Sequence, residues 1–141
     1  MVESCRQRFA ERHPGAEFRQ ADARDLSDFG TASFDVALFS FNGLDSLGHD
    51  DRALALQQIR RVLKPGGWLA VVSFHSLEDR AVKRFMRNRS QEPVQYRGLP
   101  DIPEDMRPPL KVIGKPVAPD DDEIAGNPRA RSSRLRIAER L

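Results

Sequence analysis

The sequence has little that would suit a secreted, membrane-bound or metal-bound protein. It contains one cysteine, Cys5, so no disulfide can form within the chain. No Cys/His group has zinc-ligand spacing, and no metal is expected. No apolar run approaches the ~20 residues needed to span a bilayer. The opening stretch, Met1 to His13, is charged throughout and lacks the apolar segment of a secretory signal. Neither sign of charge dominates, with 23 Lys and Arg against 21 Asp and Glu. That balance excludes a polyanionic or polycationic tail and argues against disorder. There is no internal repeat. These absences point to a cytoplasmic chain off the membrane, and its 141 residues suffice for one domain over 1–141.

What is present is patterned. Residues 2–12 predict a short helix, with Val2, Cys5 and Phe9 at helical spacing and His13-Pro14-Gly15 as its stop. Residues 17–20 predict a short strand, and 21–26 a loop. The β-prone run 34–40 predicts a strand covered on both faces. Residues 50–63 predict an amphipathic helix with Leu54, Ile59, Val62 and Leu63 on one face, ended by Pro65-Gly66-Gly67. Residues 68–74 predict a second buried strand, with Trp68 in the core.

Ser76-Leu77-Glu78-Asp79 then reads as an N-cap, supplied by Ser76, and an acidic first turn that complements the helix dipole. The helix behind it runs to about Arg89. Its basic residues, Arg80, Lys83, Arg84, Arg87 and Arg89, are expected to form one surface. Five prolines mark 90–110 as a long loop or lid. Residues 110–113 predict a strand, and the alternation over 134–138 suits an edge strand. The C-terminal segment 127–141 is basic, with five arginines and one glutamate.

Strand, helix, strand, helix and late strands predict an α/β sheet with crossover helices. Ligands of such sheets sit beyond the C-terminal strand ends. Three loops leave those ends, at 21–26, 40–45 and 73–78, and their polar residues are the natural site candidates.

Two motifs carry a resemblance. Ser73-Phe74-His75-Ser76-Leu77-Glu78-Asp79-Arg80, within residues 64–89, and Asn127-Pro128-Arg129-Ala130-Arg131-Ser132-Ser133-Arg134-Leu135-Arg136 resemble signatures of the bacterial 16S rRNA (cytosine-N4)-methyltransferase family. Lys115-Pro116 sits in the expected place between them. The first half resembles a generic class I S-adenosylmethionine methyltransferase instead. Residues 21–26 look like its adenine-side loop, Phe34-Asp35-Val36-Ala37-Leu38-Phe39 like its fourth strand, and Leu63-Lys64-Pro65-Gly66-Gly67 like the turn into its fifth. The Gly-rich cofactor loop, the ribose-binding acid and the inserted helical domain of the rRNA enzymes have no counterpart. The resemblance therefore implies a Rossmann-like class I methyltransferase sheet lacking its first βαβ unit. An unpaired sheet edge would follow, with a tendency to homo-oligomerise.

The same resemblance implies roles for particular residues, each with a plainer alternative. Asp22 would accept a hydrogen bond from the adenine amine of S-adenosylmethionine, with the Ala23 amide donating to the ring and Ser40 at the same rim; the alternative is an Asp capping its own turn. Asn42 and Asp45 would orient the target amine and Phe41 would stack on the base, or the segment is an Asn-Gly turn. Phe74 would supply an aromatic platform and His75 a donor to a flipped cytosine, although a single His is more often structural. Arg80, Arg84, Arg129 and Arg131 would meet phosphates of 16S rRNA in the small ribosomal subunit, or be solvated, with Asn127, Arg129, Arg131 and Ser132 alternatively a clasp around the sheet edge.

Three functions compete. The first is transfer of a methyl group to the N4 amine of a 16S rRNA cytosine. The second is a class I methyltransferase fragment acting on a small molecule. The third is an RNA-binding remnant without catalysis.

Overall fold

The computed structural model describes residues 2–9, 11–40 and 47–141. In chain order the elements are helix α1 (Val2–Phe9), strand β1 (Phe34–Phe39), helix α2 (His49–Val62), strand β2 (Leu63–Ser73), helix α3 (Ser76–Ser90), strand β3 (Leu110–Val117), helix α4 (Asp121–Gly126) and strand β4 (Arg134–Arg140). The sheet order is β1-β2-β4-β3. β1 and β2 are parallel and joined by the α2 crossover, while β4 runs antiparallel to both β2 and β3. The α/β reading holds.

Helices α2 and α3 cover one face of the sheet. Ala55, Leu56, Ile59 and Val62 recur at helical spacing and are buried. Val82, Phe85 and Met86 of α3 meet Leu69, Val71 and Ala138 of the strands in the same core. Leu54, expected on the buried face of α2, is exposed; it lies one position off that stripe. The other face of the sheet is largely open. Val36 is 59% exposed, Leu38 65% and Trp68 47%. So β1 is not covered on both faces, and Trp68, in register with Val36, is not in the core. Apolar character reported the strand but not which side would be packed.

Helix α2 passes into β2 without a separate turn. Leu63 is its C-cap, and the β1–β2 register moves from Phe34↔Leu63 to Val36↔Trp68. The extra residues on β2 form a bulge around Pro65-Gly66-Gly67. A side chain on Gly67 would come within 2.8 Å of the Lys64 carbonyl and 3.0 Å of the Asp35 carbonyl. Lys64 Nζ holds Asp35 across the bulge at 2.8 Å. The C-terminal end of α2 is closed from a distance by Arg140, whose Nη1 donates to the carbonyls of Arg60, Arg61 and Leu63.

Three further expectations change. Residues 17–20 form no strand, because no strand among the described residues lies beside them to pair with. Strand β4 is interior rather than an edge. Its alternation comes from facing α3 on one side and the open face on the other. Ser76 is not the N-cap of α3: His75 is, with Nδ1 accepting the Glu78 N–H at 3.4 Å. Glu78 itself is buried and accepts the Phe74 N–H at 2.9 Å.

Asp79 does more than complement the helix dipole. It takes a two-pronged ion pair from Arg136 of β4, at 2.7 and 2.9 Å, tying the first turn of α3 to the middle of the sheet. Ser73 Oγ donates to the same cluster, lying 3.4 Å from Asp79 and 3.3 Å from the Arg134 carbonyl. Hydrogen bonding from Arg136 holds the Asp79 carboxyl below the usual carboxylate range, against the opposing effect of burial.

A native acid with a lowered pKa contributes stability above the unfolded value of about 3.9, and that contribution is lost as pH falls through the native value. Asp79→Asn should therefore lower the unfolding free energy by about 2 kcal/mol at pH 7. In urea titrations, the gap from the unsubstituted chain should narrow below about pH 4. A separate test addresses the open face. A Val36→Lys/Leu38→Lys chain should bind the dye ANS several-fold less than the parent by fluorescence, with its helical circular dichroism retained.

Candidate functional site

Strand β2 ends at Ser73 and α3 begins at Ser76, so Phe74 and His75 form the turn between them. This is a C-terminal strand end, where open α/β sheets place ligands. The backbone turns sharply there because it is pinned twice. The Glu78 carboxylate holds the Phe74 amide, and the His75 ring caps the helix. With Nδ1 accepting, the ring proton sits at Nε2, which makes that nitrogen a donor.

The second motif arrives from the far end of the chain. Residues Pro128–Ser132 form a 3-10 helix capped by the Asn127 side chain, which accepts the Arg129 N–H at 3.3 Å. Buried Ala130 anchors this turn, and Ser133 then leads directly into β4. The two motifs meet. A hollow of about 520 Å3 is lined by Phe74, His75, Ser76 and Asp79 from the first and by Arg131, Ser132 and Arg134 from the second.

Phe74, His75 and Arg131 are thus brought together, while the other basic candidates lie elsewhere. Arg84 lines a groove between α2 and α3, Arg80 is exposed on α3, and Arg129 is exposed on the 3-10 helix outside the hollow's lining. Nor do the five basic residues of α3 form one surface. At ~100° per residue, Arg80, Lys83, Arg84 and Arg87 share a side, but Arg89 falls over the apolar face. Its guanidinium lies above the Phe85 ring, 5.2 Å from the centroid.

The loop at 21–26 does not line this hollow but meets the start of α2. Arg24 Nη1 bonds Asp51, in the first turn of α2, at 3.0 Å. That turn stands just beyond the strand ends, because α2 runs back against β1. From there the chain follows α2 downward. Arg61 Nη2 donates to the carbonyls of Leu26 and Phe29 near the other end of the helix.

Asp22 is heavily engaged. Its Oδ1 accepts from the Arg24 N–H at 2.9 Å and from Arg24 Nε at 3.1 Å, and its Oδ2 accepts from Nε at 3.1 Å and Nη2 at 2.7 Å. A carboxylate has about four acceptor positions, so little capacity remains. The guanidinium bonds, and then the Arg24 amide, hold the Asp22 carboxyl down to about 2. The Ala23 amide makes no hydrogen bond among the described residues. The Ala23 amide is thus a spare donor in this loop, whereas the Asp22 carboxylate is taken up by Arg24. Ser40 follows β1 at the same rim and is exposed. Phe41, Asn42 and Asp45 lie outside the described residues.

Sequence reasoning missed Glu78, Asp79 and Arg136 as the framework of the hollow. One signal was available: Arg134 and Arg136 share strand parity with Ala138, so both point toward the core side, where an arginine needs an acid. Among the described residues no cluster of His, Cys, Asp or Glu could hold a metal ion, and no helix is long and apolar enough to cross a membrane.

Comparison with known proteins agrees with the division of the chain. A general methyltransferase-domain model matches residues 1–67. The chain is 54% identical over 87 residues to the ribosomal RNA small subunit methyltransferase H of Azorhizobium caulinodans, covering 61% of this chain and 25% of that protein. It is 45% identical over 111 residues to the enzyme of that name from Halorhodospira halophila, covering 79% of this chain and 33% of that one. The chain thus spans about a quarter to a third of these relatives. Among solved structures, a SAM dependent methyltransferase from Aquifex aeolicus superposes with a TM-score of 0.64 at 11% identity, covering 99% of this chain and 63% of that one. The cyclase SpnF superposes at 0.62 and 14% identity, over 99% of this chain and 62% of that one. The fold is therefore that of class I methyltransferases, and the fold alone does not fix the activity. The model of the MraW methylase family matches residues 49–141, more than half of the chain and including both motifs that build the hollow, and the chain belongs to that family.

Proposed function

We propose that the chain serves S-adenosylmethionine-dependent methylation of the exocyclic N4 amine of a cytosine in 16S rRNA, within small ribosomal subunits in the cytoplasm. The observation that carries this reading is the hollow where Phe74 and His75 meet Arg131. Segments more than fifty residues apart in sequence converge there to offer a ring, a donor and a cation. Those are the needs of a splayed-out base and its phosphate.

In this reading Phe74 stacks on the cytosine, and His75 Nε2–H donates to an acceptor on the base edge. Arg131 meets a backbone phosphate. When bound, the cofactor supplies an electrophilic sulfonium methyl. The amine contributes the electron pair of the new N–C bond as the S–C bond breaks, and its surplus proton leaves to solvent. Asn42 and Asp45 would orient that amine as acceptors. Ala23 and Asp22 would hold the adenine, with Ser40 at the same rim. Positioning carries the rate, because no strong base is required.

A second reading is favoured by the engagement of Asp22: a chain that binds RNA without using the cofactor. Calorimetry with S-adenosylmethionine separates the two. Binding is expected, with Asp22→Ala weakening it about tenfold, the effect of one hydrogen bond. Arg24→Ala should strengthen it by releasing Asp22. No heat at millimolar cofactor would favour the second reading. Methyl transfer to small-subunit particles lacking the modification tests the substrate, and transfer to small molecules alone would overturn it.

His75 has two jobs that one substitution can separate. Asn is a good N-cap, so His75→Asn should keep the thermal midpoint close to that of the parent. Loss of the ring donor should nevertheless lower methyl transfer about tenfold or more. Equal loss of stability and activity would reduce His75 to a cap.

A further inference from the structure

A second hollow lies farther along α3 and takes no part in the reading above. It is a cleft of about 290 Å3 between α3, β3 and β4. Lys83, Met86, Arg87 and Ser90 line it from the helix, at i, i+3, i+4 and i+7, one stripe of α3. Val112, in register with core-facing Ala138, completes an apolar floor with Met86.

The far wall depends on a kink in β3. The β3–β4 register is broken between Ile113 and Val117, and Gly114 sits at φ 64°, in the left-handed region that glycine accepts. The bulge carries Lys115 to the rim of the cleft, and Pro116 withholds a backbone donor from the open edge. This gives a physical use to the Lys115-Pro116 pair between the two motifs.

The electrostatics are one-sided, since no acidic residue lines the cleft. Of its four cations, Arg136 is held by Asp79. Lys83, Arg87 and Lys115 form no ion pair among the described residues. Unpaired cations around an apolar floor suit an anion attached to a flat apolar body. The volume is near the lower limit for small-ligand clefts, so it suits one nucleoside and not a duplex. An acidic peptide would satisfy the cations but leave the floor empty.

We infer that this cleft is a second RNA subsite, receiving a nucleotide that flanks the target cytosine. Its base rests on Met86 and Val112, and its phosphate lies among Lys83, Arg87 and Lys115. The two hollows adjoin, since Asp79 lines the first and its partner Arg136 lines the second. The strand would therefore cross a neutralised pair on its way from Arg131 to Lys83. The inference rests on the reading that this chain binds RNA.

The test is fluorescence anisotropy of the full chain with a labelled twelve-nucleotide single-stranded RNA across a salt series. The Arg87→Ala/Lys115→Ala variant changes two exposed side chains, and a circular dichroism melt checks its fold. It should bind about tenfold more weakly than the parent. Its slope of log affinity against log salt should be flatter by about 1.4, for two lost phosphate contacts at ~0.7 each. If the parent binds RNA and this variant matches it in affinity and slope, the subsite is overturned, while an Arg131→Ala variant that still loses affinity leaves the target-base reading intact. Displacement of the RNA by a polyglutamate peptide as readily as by unlabelled RNA would also overturn it. No RNA binding by the parent would overturn both proposals.

Discussion

The ion pair between Asp79 and Arg136 is the constraint on which the rest of the site depends. An arginine on the core side of an interior strand cannot remain there without an acid, because burying an unpaired charge costs several kcal/mol. The acid comes from the first turn of α3, and the forked geometry fixes both the height and the rotation of that helix on the sheet. Once α3 is so placed, the turn before it has little freedom. Glu78 reaches back to the Phe74 amide, and His75 folds over the helix start. The position of the hollow follows from electrostatics at a strand–helix junction.

The same pair separates two uses of positive charge. Arginines on β4 facing the helices are structural: Arg136 holds Asp79, and Arg140 closes α2. Cations on the outer flank of α3, and those carried by the 3-10 helix and the β3 bulge, form no ion pair among the described residues. A total charge of +2 hides this division. Where each arginine sits relative to the sheet decides whether it holds the fold or faces solvent.

The elements with strong periodicity were legible in the sequence. Helices α2 and α3 and both parallel strands were placed to within a few residues. What failed was information about neighbours. Strand β4 alternates as an edge strand would, but its place between β2 and β3 depends on pairings a single chain segment does not declare. Likewise β1 is apolar enough for two covered faces and has one. At the site, the loop rule found the Phe74–His75 turn and the resemblance found Arg131, but neither indicated that Asp22 would be gripped by Arg24 only two residues away. Short-range ion pairs of that kind depend on the local backbone turn, and composition does not report it.

The interior place of β4 also bears on how the molecule is made. Among the described residues, strand β3 pairs only with β4, and β2 has β4 on its second side. As the chain leaves the ribosome, residues 110–117 therefore emerge with no partner and wait for 134–140. Arg136 and Arg140 arrive with that last strand, so the clamp on α3 and the closure of α2 form together with it. Long-range pairing of this kind is slow and leaves apolar strands exposed meanwhile. Ordering of the sheet should follow the emergence of 134–140 as a concerted event, and aggregation before it is the hazard that a shield for β3 would have to prevent.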